Sequence, residues 1–320
     1  YLPVVQQFMR VLPFLVRTSG CLLLAGLIMR PAEAIVIQID YTYDTGNYFS
    51  AGSAERNRLE DATAFFGNLL EDDLDPITPT GTYSTFTPES WQINFTNPST
   101  GATQTVDDVA VAADTIILYV GARPFGGTKL AEAGYGGAST FAFGGSEFDK
   151  AVKTRGEIGV GSTDFAPWGG FLSVNNTTSW DTSSEGSGSE QHLYSTLLHE
   201  IGHVLGIGTA QSWDSQVSAG QFTGAGAIAE YGGDVPLYFS ASSSRYDHWA
   251  NGTTSTIWGT ATLQEASLDP DIMSGDVKLI TALDVAGLDD IGWDIAQIPE
   301  TDPGILISLA AALLCLRRRR

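Results

Sequence analysis

Two histidines and a glutamate, in the run His199-Glu200-Ile201-Gly202-His203, are the residues of this sequence best suited to chemistry. Residues four apart lie on one face of an α-helix, so both imidazoles can reach the same metal ion with Glu200 beside them. Zinc held by neutral imidazoles activates a water molecule, and a neighbouring carboxylate can act as the general base. The spacing therefore predicts metal-assisted hydrolysis, with Glu200 as the catalytic residue.

The flanking residues favour a helix that buries one face. Apolar side chains surround the motif at positions 197, 198, 201, 204 and 205, whereas the two histidines and the glutamate form a polar stripe. The alternative is a chance match within an ordinary core helix, but such a helix would have to bury three polar groups at a cost in free energy. The sequence therefore favours a metal site.

A catalytic zinc usually has three protein ligands and one open position, so a third ligand is needed. Thr209 stands where the compact pattern HExxHxxGxxH requires its last histidine. His192 precedes His199 by about 10 Å along the same predicted helix, at 1.5 Å per residue, which is too far to share the ion. His248 is the other candidate among the four histidines, with an ordinary surface histidine as the alternative. Its neighbour Asp247 is a candidate partner of a ligand or a fourth ligand, with an exposed aspartate as the alternative.

Over residues 195–295 the motifs resemble those of the leishmanolysin-like metzincins. In that family the HExxHxxG helix ends at a glycine, an inserted segment follows, a distant His-Trp pair supplies the third ligand, and a methionine turn closes the floor of the site. This chain has corresponding residues in His248-Trp249 and in the run from Asp271 to Gly275. The resemblance implies one catalytic zinc ion, a protein or peptide substrate, and these roles: zinc ligands His199, His203 and His248, general base Glu200, helix-ending Gly206 and Met-turn residue Met273.

The resemblance also implies an α+β fold of the metzincin type, with a twisted mixed sheet, an active-site helix, and a C-terminal lobe that holds the Met-turn and a helix. The chain is also similar to exported bacterial metzincin-like proteins. It departs from the protozoan enzymes of the family because residues 209–247 contain no cysteine. Their disulfide-rich accessory domains are therefore not expected here.

Hydrophobic patterning predicts the elements that position this site. We predict an amphipathic helix at 54–70, a C-terminal helix at 279–291 that packs under the metal site, and strands at 35–41, 91–95 and 115–120. Residues 171–174 are a candidate edge strand to which an extended substrate could add, with a plain structural strand as the alternative. The segment 209–247 is expected to overhang the cleft, anchored by Trp213 and Phe222.

Both ends of the chain resemble export signals. Residues 1–34 combine basic residues, a short apolar stretch and the small-residue site Ala32-Glu33-Ala34, which predicts a secretory signal peptide that starts at Met9. Residues 299–320 combine Pro-Glu, an apolar run and four terminal arginines, and resemble the PEP-CTERM sorting signal of Gram-negative bacteria. A short membrane anchor is the alternative. The catalytic domain is then expected at residues 35–298, with an N-lobe at 35–206, the insertion at 209–247 and a C-lobe at 248–298.

The charge of the chain excludes one class of partner. The net charge is −21, and seven of the 16 basic residues lie in the two terminal segments; with Glu33, Glu300 and Asp302 also set aside, 9 basic residues face 34 acidic ones, a net charge of −25. Nucleic acid is not expected as a partner, because phosphate binding requires a basic surface. Calcium is a candidate ion for so acidic a chain, but the cluster Asp72, Asp73 and Asp75 lacks EF-hand spacing, and a solvated surface is the simpler interpretation.

These observations predict an exported, extracellular or envelope-associated zinc endopeptidase of a Gram-negative bacterium. Its further expected partners are the export machinery and a membrane sorting transpeptidase, which the resemblance of the tail implies. The alternative is a non-catalytic envelope adhesin or matrix protein that retains a metzincin fold. The intact Glu200 favours the enzyme, because a binding protein has no need of that carboxylate.

Overall fold

The computed structural model describes residues 34–157, 163–186 and 188–297. The predicted leader, apart from Ala34, and the predicted sorting segment at 299–320 lie outside the described residues. Within the described ranges, no helix combines the length and the apolar character needed to cross a membrane.

The described residues form a mixed α+β structure, in agreement with the predicted class. Their six α-helices are α1 (Ala54–Leu69), α2 (Glu147–Thr154), α3 (Leu193–Val204), α4 (Gln211–Ser215), α5 (Ala225–Tyr231) and α6 (Ala282–Asp290), and a 3-10 turn covers Tyr83–Thr85. The helices predicted at 54–70 and 279–291 correspond to α1 and α6. Both begin with a side-chain cap, since Ser53 accepts the Arg56 N–H in α1 and Thr281 forms a capping box with Asp284 in α6.

The strands form several small sheets. They are β1 (Val36–Asp40), β2 (Ser90–Thr96), β3 (Thr103–Asp107), β4 (Thr115–Arg123), β5 (Ala131–Tyr135), β6 (Gly137–Phe141), β7 (Gly169–Asn175), β8 (Trp180–Asp181), β9 (Gln191–His192), β10 (Val217–Ser218), β11 (Gln221–Phe222), β12 (Val235–Ser240), β13 (Arg245–Trp249), β14 (Thr254–Thr256) and β15 (Leu263–Glu265). Their order is β1-β4-β7-β5 in a mixed sheet, β3-β2-β6 and β10-β11-β12-β13 in antiparallel sheets, and β8-β9 and β14-β15 in pairs. The strands predicted at 35–41, 91–95 and 115–120 are β1, β2 and β4, but β2 lies in a different sheet from the other two.

The mixed sheet supports the helix that carries the HExxH motif. Strands β1, β4 and β7 run parallel, and β5 pairs antiparallel with β7 at the edge. All residues of β7 are buried and β7 lies between β4 and β5, so of the two alternatives for residues 171–174 the plain structural strand is right, and β5 forms this edge of the sheet. An uninterrupted buried run is typical of a parallel strand covered on both faces, and local patterning alone does not reveal its neighbours.

Strand β4 separates two hydrophobic cores, because its side chains alternate between the faces of the sheet. Ile116, Leu118 and Val120 belong to the larger core, together with residues of α1, α3 and α6. Ile117 and Tyr119 belong to the smaller core, together with aromatic residues of β2. Helices α1, α3 and α6 therefore cover one face of the mixed sheet, and the β3-β2-β6 sheet packs on the other together with α2.

The segment predicted as an insertion is folded. It contains α4, α5 and strands β10 to β12, and β13 runs across its end and carries His248. Trp213 and Phe222 are fully buried with 4.3 Å between their ring centroids, and the Trp213 ring lies 4.9 Å from that of Trp249. The indole N–H of Trp213 donates to the Tyr246 carbonyl oxygen at 2.9 Å. Both expected anchors thus pack under β13 and hold it close to α4.

Trp213→Ala should destabilise the protein, because it removes a fully buried ring and leaves a cavity beside β13. We expect the free energy of unfolding to fall by about 3–5 kcal/mol, measured by urea denaturation. Tyr231→Ala, at a position 40% exposed on α5, serves as the control and should change that energy by less than about 0.5 kcal/mol. Equally mild effects of the two substitutions would contradict the anchoring role of Trp213.

Candidate metal centre

Helix α3 begins at a histidine that is not part of the metal site. His192 is its N-cap residue, and its Nδ1 lies 2.7 Å from the Ser195 hydroxyl and accepts the Ser195 backbone N–H. Its Nε2 lies 3.0 Å from the Ser183 carbonyl oxygen. Both ring nitrogens of His192 are therefore engaged in the helix cap, and the sequence-based exclusion of this residue as a ligand agrees with its position.

The same helix ends at Gly206, as the resemblance implied. The N–H of Ile207 donates to the Gly202 carbonyl oxygen at 3.1 Å, and that of Gly206 to the His203 carbonyl oxygen at 3.2 Å. These two bonds form a Schellman motif, which places Gly206 in the left-handed region at φ +106°. A Cβ at this position would also lie 2.6 Å from the Phe165 ring. Only glycine fits this turn without strain.

Three imidazoles meet at one point of the cavity. His199 and His203 come from successive turns of α3, and His248 comes from β13, 45 residues after His203. Their Nε2 atoms lie 3.0 Å (His199 to His203), 3.1 Å (His203 to His248) and 3.2 Å (His199 to His248) apart. The ligand atoms of these three histidines all lie within 4.8 Å of one another. No other group of three or more potential metal ligands among the described residues meets this criterion.

An oxygen acceptor fixes the orientation of each imidazole through its Nδ1. The acceptors are the Ser267 carbonyl for His199 at 2.8 Å, the Ile207 carbonyl for His203 at 2.8 Å, and the Asp247 carboxylate for His248 at 2.7 Å. A carbonyl oxygen only accepts, so Nδ1 carries the proton and Nε2 keeps its lone pair. Burial opposes ionisation of Asp247, but hydrogen bonds from His248 and Ser243 hold its pKa below the usual value. Asp247 is therefore a partner of the third imidazole.

His199 and His203 are neutral, and the three imidazoles together fit a metal ion. Burial and the neighbouring imidazoles lower the pKa of His199 well below its usual value and that of His203 to about 3. Three converging lone pairs repel one another unless a cation lies between them. Zn–N bonds of about 2.0–2.1 Å at tetrahedral angles place ligand nitrogens about 3.3–3.4 Å apart, close to the spacing found here. These residues can hold a metal ion.

Glu200 lies beside the imidazoles in the same cavity, which has a volume of about 730 Å³. Its side chain is almost fully buried, and the backbone N–H of Ala133 in β5 donates to its carboxylate. Burial raises the pKa of Glu200 to about 8, against the opposing influence of Lys129. A carboxylate with so few donors, next to a metal site, is suited to accept and release a proton near neutral pH.

Asp284, on α6, supports the site from beneath, and the sequence analysis missed it. Its carboxylate accepts from the Thr281 N–H and hydroxyl, both at 2.8 Å, from the Ser267 N–H at 2.9 Å, from the Leu268 N–H at 3.1 Å, and from the Trp249 indole at 2.9 Å. Asp284 thereby fixes the Ser267 carbonyl that orients His199, and also the residue next to His248. The pattern Thr281-x-x-Asp284 signals a capping box, but it does not reveal the other donors.

Met273 differs from its expected role. Its side chain is 69% exposed and lines the cavity, so it does not form the buried floor that the resemblance implied. Leu268 is the buried residue against α3, since a Cβ on Gly202 would come within 2.9 Å of its Cδ1. Two backbone N–H bonds to Asp284 hold Ser267 and Leu268 against the helix. Met273 lies five residues further on, beyond this anchored stretch.

Comparison with models of protein families gives no match for this chain, and comparison with curated proteins gives none either. The chemistry of the site therefore has to be inferred from its own geometry. That geometry comprises a three-histidine cluster, a buried carboxylate beside it, and an open cavity in front of both.

His248→Ala should abolish stoichiometric binding of zinc at micromolar protein, because two imidazoles remain where three converge. The measurement is metal content after dialysis against a slight excess of zinc. His192→Asn is the matched control, since asparagine preserves an N-cap acceptor, and it should keep one zinc per chain. Full zinc content in His248→Ala, or its loss in His192→Asn, would mean that the ligand set is different.

Asp284→Asn should weaken zinc binding about 10- to 100-fold, the usual effect of losing an outer partner of a metal ligand. The amide NH₂ turns a donor towards N–H groups that need an acceptor, so the Ser267 carbonyl loses its fixed position. Affinity is measured by competition with a chromophoric chelator. Asp289→Asn, at an exposed position of the same helix, should leave the affinity unchanged. An unaltered affinity in Asp284→Asn would show that Ser267 is held by other contacts.

Proposed function

We propose that this chain is a zinc-dependent endopeptidase with a metzincin-like catalytic domain whose motifs resemble those of the leishmanolysin-like group. The observation that carries the proposal is the convergence of the three Nε2 atoms at 3.0–3.2 Å beside the buried Glu200. Three protein ligands leave a fourth position of a tetrahedral ion for water or substrate, which is typical of catalytic rather than structural zinc sites.

Zinc is the favoured metal because three imidazole nitrogens without a thiolate or carboxylate ligand suit its chemistry. When bound, zinc polarises a substrate carbonyl and lowers the pKa of a water molecule. The chain supplies the remaining groups. His199, His203 and His248 hold the ion through nitrogens whose opposite sides are fixed by Ser267, Ile207 and Asp247.

Glu200 is the proposed general base and acid. Its carboxylate takes a proton from the attacking water and returns it to the departing amine nitrogen, which completes hydrolysis of an amide bond. The surroundings suit both transfers, because burial raises the pKa of Glu200 to about 8 and so brings it close to neutral pH. The N–H of Ala133 holds the carboxylate in place without neutralising it.

An extended peptide is the proposed substrate. Strand β5 forms the edge of the mixed sheet, and its residues Ala131, Glu132 and Ala133 line the cavity that contains the histidines. A peptide can add to an edge strand through main-chain hydrogen bonds, which recognise the backbone rather than one side chain. This role passes from β7, where the sequence analysis placed it, to β5.

The metzincin-like assignment has further support in the fold. The mixed sheet with an antiparallel edge strand, the helix α3 that ends at Gly206, the distant His248 followed by Trp249, and α6 behind the site all match the expected arrangement. The exposed Met273 is the departure. We further propose that the protein is exported, with the leader and the PEP-CTERM-like tail as the signals.

Glu200→Ala should retain one zinc per chain and lose hydrolysis of an unbiased peptide library, by a factor of about 100 or more. Glu147→Ala, at an exposed position of α2, is the control and should keep wild-type cleavage. Unchanged cleavage by the Glu200 variant would refute the mechanism. If the wild type and both variants bind zinc but none of them cleaves peptides, the result would instead favour the non-catalytic envelope protein.

A further inference from the structure

Three chain segments are joined by backbone hydrogen bonds where α1 and α6 end. The Glu71 N–H donates to the Asp294 carbonyl oxygen at 2.9 Å, and the Phe165 N–H donates to the Ile291 carbonyl oxygen at 3.0 Å. The Glu71 bond joins the segment after α1 to the segment after α6. The Phe165 bond joins the segment before β7 to the same segment after α6. The carboxylates of Asp72, Asp164 and Asp294 are carried by these three segments.

The carboxylate of Asp72 is buried without adequate partners. The residue is 3% exposed, and its Oδ1 accepts a single long bond, 3.3 Å, from the Asp294 N–H. Its Oδ2 is fully shielded from solvent and has no hydrogen-bond partner among the described residues, and the same is true of Oδ1 of Asp164. Native proteins rarely leave buried polar atoms unpaired, and an exception indicates an ion or water that satisfies them.

The charges around Asp72 and Asp164 are of one sign. Burial and the neighbouring Asp294 and Glu157 raise the pKa of Asp72 to about 8, and burial with Asp164 and Asp294 raises that of Glu157 to about 7. The pKa of Asp164 is also raised, by burial and then by Asp294. No lysine or arginine contributes to any of these three shifts within the described part of the chain.

The buried Arg155, two residues before Glu157 in the chain, serves other groups. Arg155 is fully buried and donates to backbone carbonyl oxygens at four positions, namely Asp75, Ala112, Thr115 and Pro167. It therefore does not neutralise the cluster. Protonation does not resolve the difficulty either, because a hydroxyl at Oδ2 of Asp72 would be a buried donor that still lacks an acceptor.

We propose that Asp72, Asp164, Asp294 and Glu157 form a calcium site that fastens the segment after α6 to the segments after α1 and before β7. The donor set consists of oxygen atoms alone, which calcium prefers and zinc does not. The ligand nitrogens of the three histidines all lie within 4.8 Å of one another, whereas the carboxylate oxygens of this cluster do not. Like charges repel one another, so a wider spacing is expected when no cation lies between them. Calcium tolerates such irregular sites because it takes 6–8 oxygens in flexible geometry and completes its shell with carbonyls and water.

This site adjoins the residues that shape the end of α3. Trp293, next to Asp294, donates its indole N–H to the Leu205 carbonyl oxygen at 2.7 Å. Phe165, next to Asp164, packs on the Trp293 ring at 6.4 Å and limits the space at Gly206. Calcium would therefore stiffen the turn whose Ile207 carbonyl orients His203, without contacting the zinc ligands.

The test uses the zinc-loaded full chain in buffer freed of calcium over a chelating resin. Calcium titration should raise the melting temperature by about 5 °C at saturation, and terbium should give luminescence sensitised by Trp293 that calcium displaces. Asp72→Asn and Asp164→Asn should each lose both responses. Asp72→Asn should also be at least as stable as the wild type without calcium, because it removes a buried charge. Asp234→Asn, at an exposed position outside the cluster, should respond as the wild type does.

No calcium response in the wild type, or an undiminished response in both cluster variants, would overturn the proposal. The proposal does not rest on peptidase activity, and His199→Ala separates the two. A preserved calcium response in that variant supports an independent site, whereas a lost response would assign calcium to the histidine centre and refute the carboxylate site.

Discussion

Three oxygen acceptors from distant parts of the chain, at Ile207, Asp247 and Ser267, fix the Nδ1 protons of the three imidazoles and so aim their lone pairs at one point. Such an arrangement is unfavourable in the absence of a cation, because like dipoles face each other at 3.0–3.2 Å. Rigid surroundings have to maintain it. Much of the fold can be understood as the means by which these acceptors are held.

A different device holds each acceptor. Ile207 follows the Schellman turn, so the bonds that end α3 also position the partner of His203. Ser267 is fixed by the buried Asp284, whose five donors come from three parts of the chain. Asp247 lies on β13, which Trp213 holds in place through its ring contact with Trp249 and its hydrogen bond to the Tyr246 carbonyl oxygen. The histidines on α3 thus depend on α6 and β13 for their orientation, although the sequence motif itself is only five residues long.

Sequence reasoning succeeded where a property is local. Helical spacing located α3, and the glycine that ends it was identified by its place in the motif; α1 and α6 followed from hydrophobic periodicity. His248 could be singled out because the chain has only four histidines. Sheet order is not local, so patterning left open whether residues 171–174 form an edge strand or an inner one. The supporting role of Asp284 depends on hydrogen-bond donors 16 to 35 residues away, so no local sequence pattern predicts that role. Met273 was placed by analogy alone, and its exposure depends on the loop that follows Leu268.

The buried carboxylates of this acidic chain differ chiefly in how many donors each receives, and that number determines what each can do. Asp284 receives five, which satisfy its oxygens and make it a structural support, although burial still raises its pKa. Asp247 receives two, and its pKa falls below the usual value, as suits a carboxylate that must stay ionised beside His248. Glu200 and Asp72 are each held by a backbone N–H, and burial raises the pKa of both to about 8. A general base cannot be fully satisfied by donors, because each additional bond would stabilise the carboxylate and weaken its affinity for a proton. Sparse hydrogen bonding is therefore a requirement at Glu200, whereas at Asp72, which borders no catalytic group, the same deficit requires a cation.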